Sequence, residues 1–320
     1  MILSPFEDFS RKVGNTPLIK LECQETKNLS IYAKCEWHNP TGSIKDRAAL
    51  GMIKKYLDDT NQKKHILEYS GGSLAKSIGK ICDFLGVQCT LVLSSGSGKS
   101  LLDELSSYGA NTILVDKSKG FYAVIEKAVE ISEQNPDYYF LYQHYNTANI
   151  YSHIEGTGQE IIKQMAGKSI DAWVASAGTG GTLMGVYKAI KKYTPNTELH
   201  LVMPAELPYG SEQPPNGLKK YAGSGGFGLG RKQYFIEQEE VLMNRQWNYS
   251  YEETLYEMAR FYKQTGIKIG TSAAANLLAA KKIAKEKGST FNVVTIFPDA
   301  GSKEEWEDVE VILANKKAGV

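Results

Sequence analysis

Two stretches of the chain hold residues whose types and spacing suit chemistry. Ala175 to Gly185 reads "ASAGTGGTLMG", between the strand-like run Asp171 to Val174 and the helix-like run Val186 to Lys192. A glycine-rich turn of this kind frees backbone N–H groups at a helix N-terminus, where the partial positive charge favours an anion. A tight connection with no ligand has the same composition, so the loop alone identifies no partner. Asn39 to Leu50 reads "NPTGSIKDRAAL", a turn followed by Lys45, Asp46 and Arg47 at the opening of a helix. Cations there oppose the helix macrodipole unless Asp46 or a function compensates. A lysine so placed is desolvated and repelled, which lowers its pKa and makes it a better nucleophile toward a carbonyl. The alternative for Lys45 is a solvated surface charge.

Other candidates carry less. "SSGSGKS" at Ser94 to Ser100 follows the strand-like "CTLVL", but Leu93 stands where a triphosphate-binding loop needs its first glycine. Lys99 is therefore expected in a solvent-facing turn. His144 and His153 fall in no metal-ligand spacing and are expected to be packed or solvated; no metal is expected. Asp299 in "FPDAG" is placed either beside the active site or as the cap of "GSKEEWEDV".

The elements that must position these residues follow from the wider pattern. With 320 residues and 42% hydrophobic composition the chain can bury a substantial core, more in keeping with two domains than one. Lysine plus arginine (37) nearly balance aspartate plus glutamate (36), so nothing signals nucleic acid or an anionic membrane. The start "MILSPFEDFSRK" has no signal-peptide pattern, and a cytoplasmic protein is expected. Four scattered cysteines indicate reduced thiols rather than disulfides or a zinc site. Eight β-branched or apolar runs, "SIYAKCE", "HILEYS", "CTLVLSS", "NTILVD", "YYFLYQ", "DAWVASA", "ELHLVMP" and "NVVTIFPD", alternate with helical stretches such as 48–57, 101–108, 122–134 and 154–165. Such alternation predicts an α/β fold with mainly parallel, twisted sheets flanked by helices. Pro204 to Gly230, rich in glycine, proline and serine, reads as a long functional loop.

Taken together, "NPTGSIKDR" and "GTGGT" resemble the pyridoxal-phosphate (PLP) enzymes of the tryptophan synthase β fold (fold-type II), especially the cysteine synthase and cystathionine β-synthase family. "GNTPLIKL" at Gly14 to Leu21 matches that family's opening. "QHYNTAN" at Gln143 to Asn149 matches its Gln-Phe-x-Asn-Pro-Ala-Asn segment, and "GTSAAANLLAA" at Gly270 to Ala280 matches its Gly-x-Ser-x-Gly-Ala segment. The resemblance covers nearly the whole chain. It implies that Lys45 carries PLP as a Schiff base and that Gly178, Thr179, Gly180, Gly181 and Thr182 hold its phosphate. Ser272 would face the pyridine nitrogen, a weak partner that favours β-elimination over transamination. Ser70, Gly71, Gly72, Ser73 and Gln143 would bind the substrate carboxylate, with Ser73 also beside the cofactor. A homodimer is implied, with a small mobile domain (1–16 and 38–147) and a large domain (17–37 and 148–320). The short tail after "EEWEDVEVIL" leads us to expect no appended regulatory domain.

The carboxylate loop departs from the family pattern. Where Glu-Pro-Thr-Ser-Gly-Asn-Thr is usual, Glu68 to Leu74 reads "EYSGGSL". Ser73 replaces the asparagine that bonds the PLP ring hydroxyl, and Leu74 removes a donor worth about 1–3 kcal/mol in a dry site. The expected reaction is β-replacement on an activated serine-type amino acid through an α-aminoacrylate, with sulfide or another nucleophile. Elimination without replacement, as in a serine/threonine dehydratase or cysteine desulfhydrase, is the alternative. A catalytically weak PLP-binding regulatory subunit is the alternative of another class.

Overall fold

Alternation of β-branched runs with amphipathic stretches produces two separate sheets. The computed structural model describes residues 4–60, 62 and 64–317; the outermost ends of the expected domains, 1–3 and 318–320, lie outside them. The strands are β1 (Leu18–Lys20), β2 (Ile31–Cys35), β3 (Ile66–Tyr69), β4 (Cys89–Ser94), β5 (Asn111–Val115), β6 (Tyr139–Phe140), β7 (Ala172–Ser176), β8 (Glu198–Pro204), β9 (Arg245–Tyr249) and β10 (Val293–Phe297). One sheet has the order β5-β4-β3-β6 and is parallel throughout. The other has the order β1-β2-β10-β7-β8-β9, parallel except for the β1–β2 pair.

Side-chain alternation fills both faces of the larger sheet, as a parallel sheet requires. Ile31, Ala33, Cys35, Val174 and Phe297 pack with the helices Tyr251–Thr265 and Thr271–Lys287. Tyr32, Trp173, Ala175 and Ile296 pack on the opposite side with the helix Gly181–Lys191. In the smaller sheet Ile66, Leu91 and Leu93 meet the helices Lys45–Asp59 and Ser73–Leu85, while Leu67, Tyr69 and Val92 meet the helix Gly120–Gln134. Among the described residues no helix is long and apolar enough to cross a membrane.

Three features differ from the pattern read in the sequence. Strands β1 and β9 were not anticipated: β1 has three residues and β9, "RQWNY", is polar and buries fully only Trp247. The helix expected over 154–165 is interrupted, running as Thr147–Ser152, a π-helical turn His153–Thr157, and Gly158–Gln164. Such turns concentrate at functional sites.

Candidate active site

The glycine loop leaves the carboxyl end of β7 and enters the helix Gly181–Lys191, and packing alone demands glycine at three of its positions. Gly180 has φ +88°, and a Cβ there would lie 2.7 Å from Ile236 Cγ1. A Cβ on Gly181 would lie 2.5 Å from Asn149 Oδ1, and one on Gly178 2.6 Å from the Gly223 carbonyl oxygen. Thr179 Oγ1 accepts from the Gly181 N–H at 3.1 Å and from Asn149 Nδ2 at 3.0 Å. The first intrahelical bond is Met184 N–H to the Gly180 carbonyl, so Thr182 and Leu183 N–H groups precede the helical ladder. Thr182 Oγ1 lies 3.2 Å from Nε2 of His153, which sits in the π turn.

Lys45 opens its helix in a turn built to tolerate the charge. Asp46 accepts from the Thr41 N–H at 2.7 Å and from Ser77 Oγ at 2.6 Å, tying this helix to Ser73–Leu85. Arg47 is neutralised by two carboxylates: Nε donates to Glu36 at 2.7 Å, and Nη1 and Nη2 donate to Glu160 at 2.8 Å each. Lys34, buried in β2, also donates to Glu160 at 2.7 Å. Among the described residues the Lys45 ammonium forms no salt bridge. Burial lowers its pKa, and the Asp299 carboxylate acts in the opposite sense.

Asp299 joins the turn to the neighbouring elements. Ile44 N–H donates to the Pro298 carbonyl at 2.9 Å, Ser43 bridges Asp299, and Gly270 N–H donates to the Asp299 carbonyl at 3.1 Å. Its carboxyl is pushed up to about 6 by burial and by Glu305, with Lys45 opposing. It does not cap the last helix. Ser302 does so, exchanging hydrogen bonds with Glu305. Ser272, 5% exposed, is the second residue of the helix Thr271–Lys287 that starts beside Asp299. The loop 205–233 covers this region: Gly225 N–H reaches the Ala177 carbonyl at 3.3 Å and Ala222 N–H reaches Thr271 Oγ1 at 3.1 Å.

The other loop lies at the carboxyl end of β3. Ser70 Oγ accepts from the N–H groups of Gly72 (2.9 Å) and Ala75 (3.1 Å), and Ser73 begins the helix. The Leu74 side chain packs into the core and has no hydroxyl to offer a ligand. Gln143 donates its amide to the Tyr69 carbonyl at 2.6 Å, and its own carbonyl accepts from Asn149 Nδ2 at 2.9 Å. Asn149 therefore links this loop to Thr179. Sequence reading missed that role, although Asn149 lies in the segment "QHYNTAN". It missed Tyr69 too, whose hydroxyl lies 2.6 Å from His144 Nδ1. Lys99 is solvent-facing as expected, paired with Asp103 at 2.6 Å.

Residues 9–299 match the model of the family "Pyridoxal-phosphate dependent enzyme". The chain belongs to that family. Within the family, it is 33% identical over 307 residues to a cysteine synthase of Staphylococcus aureus, covering 95% of this chain and 96% of the relative. Solved structures of similar shape include a hydrogen sulfide-producing enzyme from Fusobacterium nucleatum, with TM-score 0.82, 26% identity and coverage of 94% and 99%. An O-acetylserine dependent cystathionine beta-synthase from Helicobacter pylori matches with TM-score 0.82, 26% identity and coverage of 94% and 97%. The protein is a PLP-dependent enzyme of the cysteine synthase family with its α/β fold.

The residues present fit the cofactor. The loop 178–182 ends at a helix N-terminus whose Thr182 and Leu183 N–H groups precede the helical ladder, an arrangement that favours a phosphate without a basic side chain. One lysine without a salt bridge stands nearby with a lowered pKa, as covalent attachment to an aldehyde needs.

Proposed function

We propose that the protein catalyses β-replacement on an activated serine-type amino acid such as O-acetylserine, with sulfide or another nucleophile entering. The observation that carries this reading is that the turn holding Lys45 is bonded, through Asp46 and Ser77, to the helix that follows the β3 loop, while Lys45 and Gly178 of the β7 loop both act on His144. When bound, the cofactor supplies an electron sink for charge developing at the substrate Cα. Lys45 would anchor it, Gly178, Thr179, Gly180, Gly181 and Thr182 would hold its phosphate, and Ser272 and Ser73 would serve its ring. Lys45, as a free amine, would take the α-proton of the bound amino acid. Burial lowers its pKa and so favours the neutral form that this role needs.

In this reading Ser70, Gly71, Gly72, Ser73 and Gln143 bind the α-carboxylate. The unit formed by 1–16 and 38–147 closes over it against 17–37 and 148–320, excluding water. The working form is a cytoplasmic homodimer. The S. aureus relative's name supports sulfide as the nucleophile. The F. nucleatum enzyme's description, with the Ser73 and Leu74 departures, keeps elimination as a second reading.

The test is the visible spectrum of the PLP-loaded protein before and after O-acetylserine, with product analysis with and without sulfide. A shifted band and sulfide-dependent cysteine support replacement, whereas pyruvate formed regardless of sulfide supports elimination. Lys45→Ala should retain no cofactor mass after borohydride reduction and should release no acetate. Covalent cofactor surviving in that variant would place the attachment elsewhere.

A further inference from the structure

Two departures from the family pattern are bonded to each other. Where the resembled pattern has proline and phenylalanine, this chain has Tyr69 and His144, 75 positions apart. Tyr69 is the last residue of β3 and fully buried; His144 is 4% exposed. Their rings stack at 5.5 Å and 16°, and the phenol oxygen lies 2.6 Å from Nδ1. His144 Nε2 is buried and has no hydrogen-bond partner among the described residues.

The tautomer follows from these contacts. The Tyr69 hydroxyl, kept protonated because burial raises its pKa well above that of an ordinary phenol, has no other acceptor among the described residues, so donating to His144 is the arrangement that leaves the fewest buried groups unmade. Its partner is Nδ1, which therefore carries no proton. Burial and the charge of Lys45 push the imidazole down to about 3, so the ring is neutral and its one proton is on Nε2. The Gly178 backbone lies alongside and favours that proton, but not at normal hydrogen-bond geometry. A buried donor without an acceptor is costly to leave unmade.

The surroundings say what supplies the acceptor. His144 has Phe227 at 5.3 Å and Phe121 at 6.3 Å between ring centroids. The Phe121 ring is also the nearest neighbour of a Cβ built on Gly71. The imidazole thus stands beside the loop 70–73, with Lys45 and Gly178 within electrostatic reach. The residue after that loop, Leu74, has no hydroxyl, and the Gly72 N–H of the loop and the Ala75 N–H of the helix are both taken by Ser70.

We propose that the Tyr69–His144 pair presents a fixed donor, His144 Nε2–H, to an oxygen of the bound amino acid, with His144 a substrate-binding residue and Tyr69 the residue that positions it. The inference rests on the amino-acid reading of the 70–73 loop given above. Neither proline nor phenylalanine at these positions supplies such a donor.

The test uses the PLP-loaded protein and spectral titration with O-acetylserine and with L-alanine, which keeps the carboxylate but has no β-oxygen. His144→Phe should leave the cofactor band before titration unchanged and weaken binding about tenfold or more. His144→Gln, which retains an N–H, should recover most of the loss, and Tyr69→Phe should fall between. Weakening with both amino acids assigns the contact to the carboxylate, and weakening with O-acetylserine alone assigns it to the β-substituent. Nitrogen NMR of histidine-labelled wild-type protein, read without any amino acid, should show His144 protonated at Nε2 and bare at Nδ1. The opposite tautomer overturns the proposal, as does wild-type affinity in His144→Phe. A loss that His144→Gln does not repair marks a packing role and also overturns it. A wild-type spectrum that responds to neither amino acid overturns this proposal and the reading of the loop together, whereas a normal wild-type response isolates the failure to His144.

Discussion

Beneath the loop 70–73 one buried carboxyl links stability to pH. Glu68 is fully buried, and burial pushes its pKa up to about 8, opposed by the Tyr69 and Gln143 N–H groups at 2.9 and 3.1 Å. An acid whose folded pKa is raised contributes stability that is complete below the unfolded carboxylate pKa and is lost as pH rises through the folded value. Thermal unfolding of wild type and Glu68→Gln should therefore show wild type losing ground to the variant from about pH 5 to about pH 8 and a constant difference above. A difference that stays flat across that window would mean that Glu68 is ionised throughout. At this scale the sequence was only partly legible. Lys45 and the 178–182 loop announced themselves by breaking local rules or by composition. Glu68, Asn149 and the Tyr69–His144 bond did not, because each acquires its role from a partner that only the tertiary fold brings near.

The helix Lys45–Asp59 is the element on which the site depends, and its start is held by charges from elsewhere. Glu36 and Arg47 are both buried, and Glu160 is brought in from the helix Gly158–Gln164 to complete the pairing. Removing one member of a buried ionic group strands the others, a cost of about 3–5 kcal/mol. Arg47→Met should lower the unfolding free energy measured in urea by an amount in that range, while the double variant Arg47→Met/Glu36→Gln should recover part of it. A single variant as stable as wild type would show that Glu36 and Glu160 are satisfied without the guanidinium. The strand-helix alternation was legible because runs such as "CTLVLSS" are apolar and bounded by turns. The π turn was not, since "HIEGT" carries no local signal and Gly158 takes its place from close approach to Ala189, where a Cβ would lie at 2.5 Å.

At the scale of the whole molecule the candidate site residues follow strand ends of both sheets. Lys45 follows β2, the glycine loop follows β7 and Asp299 follows β10, so three carboxyl ends of one sheet converge, as ligand sites in parallel sheets do. The fourth contribution, the loop after β3, comes from the other sheet and is tied in through Gln143, Asn149 and Thr179 and through Ser77 and Asp46. Composition and periodicity do not mark where the small sheet's segment enters between β2 and β7 or where it leaves; the division of the chain at those places came only from the family resemblance. A cofactor bound at this junction contacts the folded arrangement and has no counterpart in the unfolded chain. Binding at about 1,000 times its dissociation constant then adds roughly 4 kcal/mol to unfolding. Stripping PLP should lower the thermal midpoint and readdition restore it, while Lys45→Ala, which can retain the phosphate contacts alone, should recover only part of the difference. An apoprotein as stable as the loaded enzyme would mean that the cofactor gains nothing from the fold that surrounds it, and the convergence of strand ends would lose its energetic significance.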